Sequence, residues 1–311
     1  MKFVKVLIVW ILGQNCFSQN KTVCISIDDL PVVNYGNTSP EFHLKLTEKL
    51  LSGLAKHKVQ AIGFVNEGKM YDDKNVLLPY QNTCLEMWLQ SGMDLGNHTL
   101  RHRDYNTTDF SRFTSDIISG EKQTKALLTQ YGKEMKYFRH PFLHVGATQP
   151  RADSLSVFLE KQKYTVAPVT IDNDDYLFAN AYRKALKKGA DSLARQIGEE
   201  YLSYMERKVK FYEKQSEALF GRQISQILLI HASELNSDYI LKLLDIFQRN
   251  NYQFVSMEEA LKDKAYDTPI SKYGKYGISW IDRWALSAGK SGDFFDGDPE
   301  PPKYISDLSN Q

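Results

Sequence analysis

The chain has 311 residues, of which 42% are hydrophobic and 12% aromatic, and this content excludes an intrinsically disordered protein. Its formal net charge of +1 becomes −1 without residues 1–18, because Lys2 and Lys5 are the charged residues of that segment. A nearly neutral protein lacks the basic surface that binds nucleic acid or anionic lipid. We therefore expect no nucleic-acid partner, whereas composition leaves the oligomeric state open.

Residues 1–18 have the pattern of a secretory signal peptide. Two lysines precede a short apolar stretch, and small residues at Cys16 and Ser18 define a cleavage site. The apolar stretch is too short for a helix that spans a membrane. We expect export to the periplasm or the exterior. Lipid attachment at Cys16 is less favoured, because Asn15 is larger than the residue usually found there.

From residue 21 onward, short β-rich stretches alternate with longer amphipathic ones. Strands are predicted at residues 22–27, 61–65, 93–96, 136–139, 165–171, 227–231 and 253–256. Helices are predicted at residues 42–56, 76–91, 111–131, 152–162, 238–250 and 257–262. This alternation indicates an α/β fold with a parallel sheet or barrel.

Two segments break the alternation. Residues 176–220 carry apolar side chains at helical spacing, which predicts one or two long helices packed on the side of the barrel. A lid or a partner surface is the alternative. Residues 266–311 combine glycines, prolines and aromatics, which predicts a loop-rich wrap with a mobile end. Exposed aromatics there could alternatively stack on sugar rings.

Five of the predicted strands end in polar clusters. These clusters lie at residues 28–29, 98–102, 139–142, 172–176 and 231. Barrels of the α/β class place their active sites at such strand ends. We therefore expect these side chains to meet at one rim.

Two of the clusters suggest a metal site. His98 and His102 lie four residues apart, and on a helical turn two imidazoles at this spacing face one cation. Zinc normally takes three or four protein ligands with water, so an acid from the Asp28-Asp29 pair is the best further candidate. Adjacent carboxylates disfavour each other's ionisation unless a cation is near. The alternatives are a solvated histidine pair and turn or helix-cap aspartates.

In this order, the clusters resemble the motifs of the polysaccharide deacetylase family, carbohydrate esterase family four. The resemblance extends from about Lys21 to Leu261. Ser26-Ile27-Asp28-Asp29-Leu30 is similar to Thr-Phe-Asp-Asp-Gly, and His98-Thr99-Leu100-Arg101-His102 meets His-Ser/Thr-x-x-His. The other three motifs are matched by Arg139-His140-Pro141-Phe142, by Asp172 and Asp175 followed by Tyr176 in place of tryptophan, and by Leu229-Ile230-His231.

The resemblance implies a distorted (β/α) barrel of about seven parallel strands, with a helical insertion and a loop-rich C-terminal extension. The implied catalytic domain is 19–265, with the insertion at about 177–220 and the extension at 266–311. The implied activity is hydrolysis of acetyl groups on a carbohydrate polymer or oligomer. N-acetyl groups are favoured over O-acetyl groups, so the bond cleaved is a non-peptide carbon–nitrogen bond.

The resemblance also implies roles for individual residues. Asp29, His98 and His102 would bind a divalent metal, zinc first and cobalt as a substitute, and the metal would activate a water molecule as the nucleophile. Asp28 would be the general base. His231 would be the general acid that protonates the leaving amine.

Four further residues would support this chemistry. Arg139 would keep Asp28 ionised and oriented, and Asp175 would raise the pKa of His231 and fix its tautomer. Pro141 accompanies Phe142 in the third motif, and the N–H of Phe142 would help to stabilise the oxyanion. The side chains that would line the pocket for the acetyl methyl group are Phe142, Tyr176 and Leu229.

Two other functions remain open from the sequence. Iron oxygenases also use two histidines and one carboxylate, although on an antiparallel barrel, and oxygen-dependent turnover with iron would identify one. A secreted carbohydrate-binding protein without turnover is compatible with the departures at Leu30 and Tyr176. Oligosaccharide binding without acetate release would identify it.

Two cysteines and two histidines have no assigned role. Cys24 and Cys84 could pair in an oxidising compartment, but Cys24 lies in an apolar strand pattern, where a buried free thiol fits at least as well. His43 and His57 lie in the first helical pattern and are expected to face solvent.

Overall fold

The computed structural model of the protein describes residues 21–310. The predicted signal peptide, its cleavage site and Cys16 lie outside the described residues. Within residues 21–310, no helix is both long enough and apolar enough to cross a membrane.

In these residues, seven parallel strands form the sheet of a distorted (β/α) barrel, as predicted. The strands are β1 (Lys21–Leu30), β2 (Ile62–Val65), β3 (Asp94–Asn97), β4 (Tyr137–Phe138), β5 (Thr165–Val166), β6 (Gln226–His231) and β7 (Tyr252–Phe254). Their order is β5-β4-β3-β2-β1-β6, and β7 pairs with the start of β1. An isolated parallel bridge between Ile171 and Leu228 connects the segment after β5 to β6.

Helices follow most of the strands. In the described part of the chain the α-helices are α1 (Pro40–Lys56), α2 (Pro79–Gln90), α3 (Phe110–Ser119), α4 (Lys122–Gln130), α5 (Gln149–Lys161), α6 (Asp175–Lys187), α7 (Asp191–Phe220), α8 (Glu234–Arg249), α9 (Met257–Ala260), α10 (Trp280–Ser287) and α11 (Lys303–Asn310). Several begin at a capping side chain, since Ser39, Asp109 and Ser233 each accept a hydrogen bond from the first turn.

Strand β1 occupies the centre of the sheet. It pairs with β2 and with β6, and its first three residues pair with β7. Its residues are buried from Val23 to Asp28, which explains why the sequence shows a continuous apolar run rather than an alternating one. The register places Asp28 opposite His231 on β6, so two of the candidate site residues are neighbours across the sheet.

Three local predictions differ from the structure. The helix predicted at residues 111–131 is divided at Gly120 into α3 and α4. The strand predicted at residues 165–171 is regular only over the two residues of β5. The composition of residues 266–311 predicts loops, but the segment also contains α10 and α11.

The insertion forms a helical hairpin, α6 and α7, that packs against α8. Tyr201 and Tyr204 of α7 are buried, and the Tyr204 hydroxyl donates to Asp174 Oδ2 at 3.0 Å just before α6. This packing favours the interpretation as part of the barrel side over a lid.

Two side chains without an assigned role have clear environments. Cys24 and Cys84 are buried free thiols in the described chain, so they do not form a disulfide. His43 is buried rather than solvent-facing, because its ring nitrogens bond Gln81 Oε1 at 3.1 Å and the Asn37 carbonyl at 2.9 Å.

Candidate active site

The two histidines of the second motif follow β3 on a loop, not on a helix. Thr99 and His102 have positive φ angles of 67° and 49°, and these left-handed residues turn the loop back on itself. The ring centroids of His98 and His102 are 4.8 Å apart. The structure thus brings the rings together, but the helical turn that the spacing suggests is wrong.

Backbone contacts fix this loop between two other segments. The Gly68 N–H donates to the Leu100 carbonyl at 2.7 Å, and the Leu100 N–H donates to the Asp116 carbonyl at 3.1 Å. A Cβ at Gly68 would lie 2.2 Å from Leu100 O, and one at Gly120 would lie 2.3 Å from Leu100 N. Both glycines are therefore required for the close approach that holds the histidine loop.

Asp29 completes a group of three candidate metal ligands, which is called the metal-binding group below. It ends β1 with a left-handed φ of 68°. Its Oδ1 lies 3.9 Å from His98 Nε2 and 3.8 Å from His102 Nε2. The three candidate ligand atoms lie within 4.8 Å of one another. Ligands about 2 Å from a shared cation are at most about 4 Å apart, so a small inward movement of these side chains would allow all three to bind one cation.

The protonation states of these three residues also fit a divalent cation. Burial lowers the pKa of both His98 and His102, which favours the neutral imidazole that binds metals. Burial opposes ionisation of Asp29, yet Lys69, together with the two histidines whenever they are protonated, holds the pKa of that carboxyl well below its usual range. Asp29 Oδ1 is buried and has no hydrogen-bond partner among the described residues. A bound cation would satisfy it.

Neighbouring groups orient two of the ligands. His98 Nδ1 hydrogen-bonds to the Arg139 carbonyl at 2.9 Å, which leaves Nε2 free to bind a metal. Lys69 Nζ donates to the Asp29 carbonyl at 2.9 Å and lies 3.4 Å from Asp29 Oδ2. Oδ1 of Asp29 is therefore the oxygen directed at the histidines.

Asp28 lies beside the metal-binding group and contacts a buried guanidinium. Its Oδ2 is 3.8 Å from His98 Nε2 and 3.5 Å from Arg139 Nη1. Burial raises the pKa of Asp28 to about 6, although Arg139 and His231 act in the opposite direction. Arg139 is itself fixed, since its Nη2 donates to Ser26 Oγ at 2.8 Å. The structure thus places Arg139 next to the proposed base.

His231 ends β6 and is held by the Asp175 carboxylate. Its Nδ1 hydrogen-bonds to Asp175 Oδ1 at 2.6 Å, and its backbone N–H donates to Asp175 Oδ2 at 2.8 Å. Asn236 Nδ2 also donates to Asp175 Oδ2, at 2.6 Å. Burial alone would lower the pKa of His231, but the Asp175 carboxylate overcomes it and raises that pKa to about 9.

A cleft of about 630 Å³ lies over these groups. Phe142, Tyr176 and Leu229 line it, as do Asp28, Asp29 and both histidines of the metal-binding group. Pro141 is buried and is not among the lining residues of the described chain. The cleft therefore combines polar groups with apolar walls.

Two of the other lining residues, Tyr35 and Gly277, carry no recognisable signal in the sequence. Tyr35 donates from its hydroxyl to the Tyr176 carbonyl at 3.1 Å, and Gly277 reaches the cleft from the C-terminal extension. Asp172 belongs to the fourth motif, and burial raises the pKa of its carboxyl to about 7. A lone tyrosine and a lone glycine could not have been assigned to the site by residue type.

The two departures from the family motifs do not remove a polar group from the cleft. The Leu30 side chain is buried against Gly63, where a Cβ would lie 2.5 Å from Leu30 Cδ2. Tyr176 forms part of the cleft wall, and its ring centroid is 6.5 Å from that of His231. Both substitutions therefore affect packing around the site.

Residues 18–154 match the family model described as polysaccharide deacetylase. The match covers less than half of the chain, so it shows similarity to that family over residues 18–154. The matched part contains the three candidate metal ligands and Arg139, whereas Asp175 and His231 follow it. No curated protein sequence matches the chain.

Several solved structures resemble the chain in fold. A mutant, with restored activity, of a carbohydrate esterase family 4 pseudoenzyme from Bacillus anthracis is 15% identical, with a TM-score of 0.50 over 78% of this chain and 68% of that one. A family 4 carbohydrate esterase from Bacillus anthracis is 19% identical, and the alignment covers 78% of this chain and 83% of that one with a TM-score of 0.47. A peptidoglycan deacetylase from Bacillus subtilis is 18% identical, and the alignment covers 78% of this chain and 93% of that one with a TM-score of 0.46. Similarity at this level concerns the fold alone.

Proposed function

We propose that this protein is a metal-dependent hydrolase that removes acetyl groups from a carbohydrate polymer or oligomer. The observation that carries the proposal is the convergence of Asp29, His98 and His102 in one cleft with Asp28 and His231. The deacetylase match over residues 18–154 supports the substrate class. One carboxylate and two imidazoles are a ligand set that zinc accepts, and cobalt would serve as a substitute.

Asp28 is the general base of the proposed reaction. A divalent cation bound by the three ligands would polarise the acetyl carbonyl and lower the pKa of a water molecule toward neutrality. Asp28 takes the proton from the attacking water, because a carboxyl with a pKa of about 6 is ionised at neutral pH. Arg139 holds that carboxylate in place, and the Phe142 N–H stabilises the charge that develops on the acetyl oxygen.

His231 is the general acid. Its Nδ1 is held by Asp175, so Nε2 is the nitrogen that delivers a proton to the leaving group. With a pKa of about 9 the imidazole is protonated at neutral pH. An amine leaves poorly unless it is protonated, whereas an alkoxide leaves more easily. The presence of this acid therefore favours N-acetyl over O-acetyl substrates.

The apolar cleft wall and the N-terminal sequence pattern support an acetyl substrate and an exported protein. The apolar side chains of Phe142, Tyr176 and Leu229 form the wall that receives the acetyl methyl group. The signal peptide pattern at residues 1–18 supports export to the periplasm or the exterior. We also propose that 19–265 is the catalytic domain.

An acetate-release assay on N-acetylated and O-acetylated glycans tests the proposal. We expect release that a chelator abolishes and that added zinc or cobalt restores. His98→Ala should lose bound metal and activity together. Asp28→Asn should keep the metal but lower kcat on the order of 10²- to 10⁴-fold, because it removes the base and leaves the ligands intact.

Control variants separate this prediction from general damage. His57→Ala removes a histidine outside the cleft and should leave both metal content and kcat unchanged. Full activity in Asp28→Asn would exclude Asp28 as the base. Oligosaccharide binding without acetate release would instead identify a binding protein, and oxygen-dependent turnover with iron would identify an oxygenase.

A further inference from the structure

The loop that carries Phe142 has a backbone that is unfavourable by itself. Phe142 and Leu143 have φ angles of 56° and 54°, so two successive residues with side chains lie in the left-handed region. Such residues are strained and persist only when their surroundings hold them. The Leu143 and His144 N–H groups donate to the His140 and Pro141 carbonyls, and neither bond uses the Phe142 N–H. Contacts from outside the loop must therefore hold it in this conformation.

Arg283 of α10 makes one such contact. Its Nη2 donates to the Leu143 carbonyl at 2.8 Å and reaches the Tyr276 carbonyl at 3.5 Å. The residue is 1% exposed, and its guanidinium lies 5.5 Å from the Trp280 ring centroid. A buried guanidinium needs acceptors to offset its lost hydration. Here the acceptors connect the C-terminal extension to the Phe142 loop.

Gly277 makes the second contact, directly against the peptide that joins Phe142 to Leu143. A Cβ at Gly277 would lie 1.8 Å from Phe142 O and 2.9 Å from its carbonyl carbon. No larger residue fits there unless this peptide moves. Gly277 also lines the cleft, so the extension reaches both the loop and the site.

The segment that contains Gly277 is anchored to the barrel at both ends. The Trp280 N–H donates to the Val169 carbonyl at 2.6 Å. Asn106 Nδ2 donates to the Lys275 carbonyl at 3.0 Å. The extension is therefore held firmly enough to act as a support for the loop.

We propose that Arg283 and Gly277 are positioning residues that hold the Phe142 loop so that its N–H faces the acetyl oxygen. This inference rests on the proposed function and extends it to a segment outside the family match at residues 18–154. Neither residue touches the reacting atoms. Their effect passes through the position of the Phe142 peptide.

Hydrogen exchange tests the support in the full-length protein without any substrate. Arg283→Lys and Gly277→Ala should each raise the exchange rates of amides 142–145 by about tenfold or more, and leave amides 98–102 unchanged. Arg222→Lys, which alters an ion pair with Asp263 elsewhere, is the matched control. Unchanged exchange at 142–145 in both variants would overturn the proposal. A uniform rise in amide exchange rates across the barrel would also overturn it.

Kinetics of the metal-loaded protein test the consequence. In both variants kcat should fall about 10- to 100-fold while KM changes less than about threefold, because the N–H acts on charge that forms only in the transition state. Affinity for a phosphonate analogue of the tetrahedral intermediate should fall by the same factor as kcat/KM, with metal content unchanged. A kcat within twofold of wild type would overturn the proposal. Absence of acetate release by the wild type would instead overturn the proposed function. The hydrogen-exchange experiment would still decide whether Arg283 and Gly277 hold the Phe142 loop.

Discussion

Asp28 and Asp29 are adjacent residues with opposite protonation behaviour. Asp29 lies beside Lys69 and two imidazoles, which keep its pKa low despite burial. Asp28 lies deeper, where burial raises its pKa to about 6. Different environments give neighbouring carboxylates different tasks. One is suited to bind a cation, and the other to accept a proton near neutral pH.

The alkaline limit of activity should depend on Asp175. A general acid works only while protonated, so we expect activity to be lost as the pH rises through about 9, the pKa of His231. In Asp175→Asn the carboxylate is gone while burial remains, and burial lowers the pKa of a histidine. The pKa of His231 should then fall well below 9, because only the smaller contributions of Asp28 and Asp29 still oppose burial, and the alkaline limit should move down by about two pH units.

Two measurements check this shift. NMR titration of the His231 ring reports its pKa directly, and the pH dependence of kcat/KM reports the functional limit. Asp238→Asn is the matched control, because Asp238 pairs with Lys49 and Tyr182 rather than with His231. An alkaline limit that stays near pH 9 in Asp175→Asn would contradict the role given to that carboxylate.

At the scale of elements, Glu67 links the start of α4 to the histidine loop. Its Oε1 accepts the Gln123 N–H at 2.9 Å, and its Oε2 accepts the Thr124 N–H at 2.9 Å and the Thr124 hydroxyl at 2.8 Å. A carboxylate at a helix N-terminus satisfies free N–H groups and interacts favourably with the helix dipole. The Glu67 N–H also donates to the Thr99 carbonyl at 3.2 Å. Glu67 therefore joins two elements that support the metal-binding group.

Glu67→Ala should destabilise the protein by roughly 3–5 kcal/mol. It removes three hydrogen bonds to a fully buried carboxylate and leaves their donors without a partner. Urea unfolding followed by circular dichroism measures the change. Glu86→Ala is the matched control, since its Oε1 accepts from Asn82 in a partly buried position, and it should cost less than about 1 kcal/mol. Equal losses in the two variants would contradict the capping role.

The elements differ in how far the sequence predicts them. Strands β1 and β6 are buried almost throughout, so their continuous apolar runs identified them within a few residues. Strands β4 and β5 have two residues each, too few for any periodicity. The break at Gly120 depends on contact with Leu100, a residue twenty positions earlier. The hydrophobic pattern of the helix itself cannot predict such a contact.

The candidate site was predictable only through its motifs. Residue types and order indicated which side chains would meet, and the register of β1 with β6 explains why Asp28 and His231 do. The left-handed angles at Asp29, Thr99 and Phe142 were not predictable, because residues other than glycine rarely adopt them. The contribution of Gly277 was invisible for a different reason, since it depends on tertiary contact alone.

At the scale of the whole molecule, the C-terminal extension is part of the packed core. Ile281 and Trp284 of α10 and Ile305 of α11 are almost fully buried. The end of α11 is fixed to α6, because Asn180 Nδ2 and Lys184 Nζ both donate to the Ser309 carbonyl, at 2.8 and 2.6 Å. The boundary proposed at residue 265 would therefore separate the barrel from a segment that packs into the same core.

Removal of residues 266–310 should cost much of the stability of the protein. Burying each of Ile281, Trp284 and Ile305 contributes about 1.5–3 kcal/mol, so their loss removes about 5–9 kcal/mol, comparable with the whole stability of a typical domain. A chain that ends at residue 265 should be insoluble or unfold at much lower urea concentration. A chain that ends at residue 302 loses only α11 and Ile305 from this set, and should fold with a smaller loss of about 1.5–3 kcal/mol. Equal unfolding midpoints for the full chain and the chain that ends at 265 would show instead that the barrel is stable without its extension.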